Sequence, residues 1–137
     1  MRWATLVPEL VVSDLGRSLE AYALFGFSVA FRRDDFAYLA LGEAQLMLQQ
    51  GPVSGPWSTG PLVHPFGRGI NLQIEVADLE SLLRRLEQAD YPLRREALTE
   101  WYREDDTEQG QLECLLQDPD GYLLRFAQPL GERPARG

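Results

Sequence analysis

The strongest constraint on this chain is that it carries one pattern twice. "VPELVVSDLGRSLEAYALFGF" (Val7 to Phe27) lies over "NLQIEVADLESLLRRLEQADY" (Asn71 to Tyr91), with Asp14 on Asp78, Leu15 on Leu79, Tyr22 on Leu86 and Phe27 on Tyr91. Each copy opens with an extended apolar run that ends in Ser-Asp or Ala-Asp. A helical pattern follows, through Leu15, Leu19, Tyr22 and Ala23 in the first copy and Leu79, Leu82, Leu83 and Leu86 in the second. The aspartate is placed to cap the helix by accepting its free N–H groups. Gly26 and the run Asp90-Tyr91-Pro92 end the two helices.

Three strand-like segments come after each helix: "SVAFRR", "FAYLAL" and "AQLMLQQ" in the first half, "PLRREAL", "QLECLLQD" and "YLLRFAQ" in the second. The last two segments are joined by Gly42-Glu43 in one half and by Asp118-Pro119-Asp120-Gly121 in the other. Each half therefore reads strand, helix, three strands, and neither half covers its own sheet. The expected fold class is α+β, two βαβββ modules in one domain over residues 1–137. Module 1 runs over about 4–50, a linker over 51–69 and module 2 over about 70–129. The linker is rich in Pro, Gly and Ser, carries Trp57, His64 and Phe66, and is long enough to form part of a site.

At 137 residues and 45% hydrophobic content, one domain with a real core is expected. No apolar run approaches a membrane span, and the N-terminus lacks the pattern of a signal peptide, so the expectation is a cytoplasmic protein with no membrane partner. The lone Cys114 precludes an intrachain disulfide and reads as a buried thiol rather than a nucleophile, since the sole histidine, His64, sits in the linker. A net charge of −8 argues against nucleic acid as a partner and suits a cationic ligand, or solubility alone. All thirteen basic residues are arginines.

The ordered set "PELVVSDLGRSLEAY", "FAYLALGEAQLMLQQ", "IEVADLESLLRRL" and "LLQDPDGYLLRFAQ" resembles the vicinal oxygen chelate superfamily, and within it the glyoxalase/bleomycin resistance proteins. The resemblance implies curled mixed sheets, each forming half of a cleft, and in metal-dependent members four ligands, typically His, Glu or Gln, from the first and last strand of each module. Carried over to this chain, those slots fall on Val7, Met47, Asn71 and Arg125. Valine cannot coordinate, Asn is a poor ligand, Met prefers soft metals, and a guanidinium would repel a cation. No metal, no cofactor and no catalytic residue are therefore expected.

Alternation puts Glu9 on the face of Val7, Gln73 and Glu75 on that of Asn71, and Gln49 on that of Met47. Buried charges need partners, so Arg125 is expected to pair with Glu9 or Glu75, or to meet a polar ligand. From Asp14/Asp78 the copies are offset by 64, and from Leu46/Leu124 by 78, so the second carries an insertion of 14 residues around "TEWYREDDTEQG". Trp101 and Tyr102 there, like Trp57 in the linker, either stack on ligand or pack locally. The acidic run Glu104-Asp105-Asp106 reads as a solvated loop, and Trp3 as packing or a dimer contact.

The expected ligand-binding set is thus Glu9, Met47, Gln49, Trp57, Phe66, Asn71, Gln73, Glu75, Trp101, Tyr102 and Arg125. The function expected is metal-free binding, by sequestration, of a small cationic or heteroaromatic molecule such as a bleomycin-type antibiotic. By the resemblance the protein would be a homodimer. The alternatives are a metal-dependent lyase or dioxygenase of the same superfamily with an atypical site, and an interaction module without a small ligand.

Overall fold

In the computed structural model, which describes residues 2–136, the chain forms two compact units. One comprises the chain through Arg68 together with Asp118–Tyr122, and the other Gly69–Gln117 with the chain from Leu123 onward. The first unit holds β1 (Glu9–Val12), α1 (Leu15–Phe25), β2 (Ser28–Arg33), β3 (Phe36–Leu41) and β4 (Ala44–Gln50). Its sheet runs β1-β4-β3-β2, with β1 parallel to β4 and the other pairs antiparallel. The second unit repeats this with β5 (Asn71–Glu75), α2 (Leu79–Gln88), β6 (Arg95–Glu104), β7 (Thr107–Gln117) and β8 (Leu123–Pro134), in the order β5-β8-β7-β6. Among the described residues no helix is long and apolar enough to cross a membrane.

The helices start where the repeated aspartates require. Asp14 accepts from the backbone N–H of Arg17 at 3.1 Å and Asp78 from that of Ser81 at 3.2 Å. A second repeated device caps the same ends. The Gln50 side chain accepts from the Leu15 N–H at 2.7 Å, and Gln128 from the Leu79 N–H at 2.9 Å. Each glutamine sits near the sheet end of the parallel strand, so strand β4 or β8 fixes where its helix begins. The buried side of α1 is Leu15, Ser18, Ala21, Tyr22 and Phe25; Leu19 is half-buried and Ala23 exposed, which corrects the apolar stripe expected from spacing. In α2 Leu79, Leu82 and Leu86 are buried as expected, while Leu83 is half-buried.

One set of side chains on each sheet is core: Leu10, Val12, Leu46 and Leu48 in the first, Ile74, Leu124, Phe126, Cys114 and Leu116 in the second. Cys114 is fully buried, and burial pushes its thiol up to about 11, which suits packing rather than nucleophilic chemistry. Trp3 stacks on Tyr38, with ring centroids 5.3 Å apart, and on Phe31 at 6.4 Å.

The inserted residues are not a loop on the scaffold. They lengthen the β6–β7 hairpin, whose ladder runs out to Glu104 opposite Thr107, and β8 follows it as far as Pro134 opposite Thr107. Only Asp105 and Asp106 remain as the turn, with Asp105 at φ 55°.

Candidate functional site

The cross-strand rows decide which predicted residues stand together. In the first unit Glu9 is opposite Met47, and Met47 opposite Tyr38; Val11 is opposite Gln49, and Gln49 opposite Phe36. In the second, Gln73 is opposite Arg125 and Arg125 opposite Leu115; Glu75 is opposite Ala127, and Ala127 opposite Glu113. The residues beside Met47 and Arg125 are thus Glu9 and Gln73, not Val7 and Asn71; Asn71 stands opposite Leu123.

A cavity of about 530 Å³ opens in the first unit, a volume in the range of small-molecule sites. Glu9, Val11 and Ser13 of the first strand line one part of it, and the linker residues Trp57 and Phe66 with Tyr122 line another. Three predicted residues far apart in sequence, Glu9, Trp57 and Phe66, therefore meet there. Glu9 is the one charged side chain in its lining.

The wall is built by the Asp118-Pro119-Asp120-Gly121 turn, whose two aspartates are buried. Asp120 accepts from the backbone N–H of Ser13 at 3.0 Å and from its hydroxyl at 2.5 Å. The carbonyl of Asp120 also accepts from the Phe66 N–H at 2.8 Å. Asp118 accepts from the Tyr22 hydroxyl at 2.8 Å and from the backbone N–H groups of Asp120 and Tyr122. Its burial outweighs these bonds, so its carboxyl titrates above the usual range. Tyr122 donates to the Val11 carbonyl at 2.8 Å and meets Phe66 edge to face at 5.9 Å. Two glycines permit this closeness: a Cβ on Gly67 would stand 2.4 Å from the Tyr122 ring, and one on Gly121 2.4 Å from the Pro65 side chain. Trp57 ends a short 3-10 turn, Gly55–Trp57, and is 76% exposed, so its ring is open to a ligand.

In the second unit the polar face centres on Glu113, a residue that sequence reading passed over. It is 1% exposed and accepts from the Tyr102 hydroxyl at 2.5 Å, from Arg95 at 3.2 Å and from Gln111. Arg125 approaches its other oxygen at 3.8 Å. The expected partner of Arg125, Glu9 or Glu75, is therefore corrected to Glu113, which the hairpin register brings two residues from Leu115, itself opposite Arg125. Burial tends to raise the Glu113 pKa, yet the bonds from Tyr102, Gln111 and Arg95 and the charge of Arg125 together hold it below the usual range. Tyr102 is pushed up, first by burial and then by the Glu113 carboxylate. Gln73 joins the network by accepting from Gln111 at 3.2 Å.

Trp101 lies on the other face of β6 from Tyr102. It stands opposite Gly110, and the Arg133 guanidinium covers its ring at 3.9 Å, held by Glu108 at 2.8 Å. The ring, expected either to stack on ligand or to pack locally, packs between its own strands, where Gly110 leaves the room that a Cβ would fill.

These donors do not fit a hard divalent ion. The strand pair of the first unit offers Glu9 beside the thioether of Met47; that of the second offers the neutral Gln73 beside a guanidinium. Among the described residues no group of three or more His, Cys, Asp or Glu is placed to hold a metal.

Among solved structures the chain is similar to a virulence protein from Salmonella typhimurium, with 18% identity, a TM-score of 0.69, and coverage of 93% of this chain and 98% of that one. It is also similar to a bleomycin-binding protein complexed with bleomycin, at 22% identity and a TM-score of 0.58, covering 92% and 98%. A third is a lactoylglutathione lyase from Agrobacterium tumefaciens, at 17% identity and a TM-score of 0.60, covering 91% and 92%. No curated protein matches the chain in sequence. At these identities the likeness is one of fold. The family model for the glyoxalase/bleomycin resistance protein/dioxygenase superfamily, however, matches residues 4–126, nearly the whole of both modules, and the chain belongs to that superfamily.

Proposed function

We propose that this protein binds a small cationic or heteroaromatic molecule without a metal and sequesters it unaltered, acting in the cytoplasm as a homodimer. A bleomycin-type glycopeptide antibiotic is the first ligand to try. The observation that carries this reading is the first unit's cavity, where the carboxylate of Glu9 shares the lining with Trp57, Phe66 and Tyr122. Aromatic faces attract cations and stack on flat rings, and a single carboxylate gives the cavity one sign of charge. A net charge of −8 adds long-range attraction for such a ligand. The superfamily includes proteins of this type, and the solved bleomycin-binding protein shares the fold.

Calorimetric titration with metal-free bleomycin tests the reading. Saturable heat is expected, and Trp57→Ala should weaken binding by about 1–3 kcal/mol if its ring stacks on the ligand. No heat up to about millimolar ligand removes bleomycin. Elemental analysis of the purified protein decides the broader choice: stoichiometric nickel, zinc, iron or manganese would replace this reading with a metal-dependent lyase or dioxygenase.

A further inference from the structure

Two guanidiniums on the polar face of the second unit share a single carboxylate. Arg95 and Arg125 flank one carboxylate, Glu113, and among the described residues no other carboxylate lies within 4 Å of either guanidinium. Glu75 shares the face without pairing. Tyr102 stays neutral at physiological pH because its hydroxyl titrates above its ordinary value. Within ion-pair distance two cations meet one anion, a local surplus of one positive charge that Glu75 and Glu100 on the same face do not pair with.

The pairing is incomplete in geometry as well as in charge. Arg125 stands 3.8 Å from Glu113, outside hydrogen-bonding distance, and Arg95 makes one bond at 3.2 Å. The Nε atoms of both arginines are buried without a partner. A buried N–H left unpaired is costly, and a guanidinium has five donors to satisfy. The side chains are stacked by depth: that of Glu113 is 2% exposed, while those of Arg95 and Arg125 are 36% and 29% exposed. An incoming molecule therefore meets the guanidiniums and not the carboxylate beneath them. Glu113 orients the two forks while leaving their outer edges to a ligand.

We infer that Arg95 and Arg125, held by the buried Glu113, form a receptor for the carboxylate group of a small ligand. The planar fork of a guanidinium matches a carboxylate in two parallel bonds, and one negative charge balances the surplus. A phosphate dianion would exceed it. The inference does not depend on the proposed cation site, since it uses none of the residues that line the first unit's cavity.

The test is an NMR titration of the full-length, ¹⁵N-labelled protein. The Nε–H groups of Arg95 and Arg125, both buried, are the signals to follow. Acetate, compared with chloride at equal ionic strength, should shift both signals saturably at about millimolar concentrations, as a single two-guanidinium site allows. The Nε–H of Arg133, already bonded to Glu108, should stay put. Arg125→Gln should weaken acetate binding at least about tenfold, and Arg125→Lys, which keeps the charge but loses the fork, several-fold with the Arg95 signal still responding. Equal responses to acetate and chloride would sink the inference. So would saturation by inorganic phosphate but not acetate, or an Arg125→Gln protein that binds as before.

Discussion

Corresponding rows of the two sheets carry opposite chemistry. In the first module the row runs Glu9, Met47, Tyr38, Phe31; in the second it runs Gln73, Arg125, Leu115, Arg95. The next row has Phe36 opposite Gln49 in the first module and Glu113 opposite Ala127 in the second. Three rings, Phe31, Phe36 and Tyr38, pack together in one, with centroids 5.1 and 6.1 Å apart. Arg95, Leu115 and the buried Glu113 take their places in the other, with Arg125 where Met47 stands. The leucines on the reverse face hardly change. A duplicated sheet thus keeps the side that faces its helix and has diverged on the other, where packed rings bury in one module what a hydrogen-bonded carboxylate buries in the other.

Breaking the shared side should therefore cost both modules alike. Leu46→Ala and Leu124→Ala, at equivalent and fully covered positions, should each lose about 2–5 kcal/mol in denaturant unfolding. A gap between the two larger than about 3 kcal/mol, beyond the usual spread of such sites, would show that the frames are not equivalent.

Breaking the divergent side should not. Glu113→Ala leaves two guanidiniums facing each other without their anion, and about 2–4 kcal/mol of stability should go, somewhat less than for a fully buried pair because the arginines are about one-third exposed. Phe36→Ala at the corresponding position removes ring packing instead, so its cost should be indifferent to salt. The Glu113→Ala protein should regain stability as salt screens the two cations. Unfolding of both variants at low and high salt separates the two cases.

The shared frame is legible in the repeat alone: both helices, both aspartate caps and the order of strands follow from it. The site is only half legible there. Alternation marks Gln111, Glu113 and Gln117 as the polar side of β7, but whether Glu113 is buried depends on Tyr102 crossing over it, and that depends on hairpin register, which spacing does not fix. The 14-residue offset locates an insertion without saying that it continues the ladder. Gln50 and Gln128 recur at the same offset of 78, a signal for the second cap that the sequence does carry.

The lengthened hairpin offers a smaller break. Gly110→Ala places a Cβ 2.6–2.8 Å from the Trp101 ring, which must then leave its place under Arg133. About 1–2 kcal/mol should be lost, with a change in tryptophan fluorescence. In the first module Gly42→Ala meets no neighbour within 4 Å, and its cost comes only from holding φ near +58°, about 1 kcal/mol.

The mildest effect is a difference in sign. Asp118 in the first unit titrates above the usual carboxylate range because of burial, so the folded protein holds its proton to higher pH than the unfolded chain does. Between the unfolded and folded pKa values the native state binds more protons, and stability contributed by Asp118 falls as pH rises through that window. Glu113 in the second unit titrates below its usual range, its three hydrogen bonds and the charge of Arg125 outweighing burial. Its contribution is present above the unfolded pKa and is lost as pH falls through the folded one. Asp118→Asn should therefore remove a decline in stability on the way up from acid pH, and Glu113→Gln should remove a loss on the way down. Unfolding midpoints measured across the acid limb would show the two profiles bending in opposite directions from that of the unsubstituted protein; parallel profiles would mean that the two buried carboxylates experience the same environment, against the chemistry of the rows that hold them.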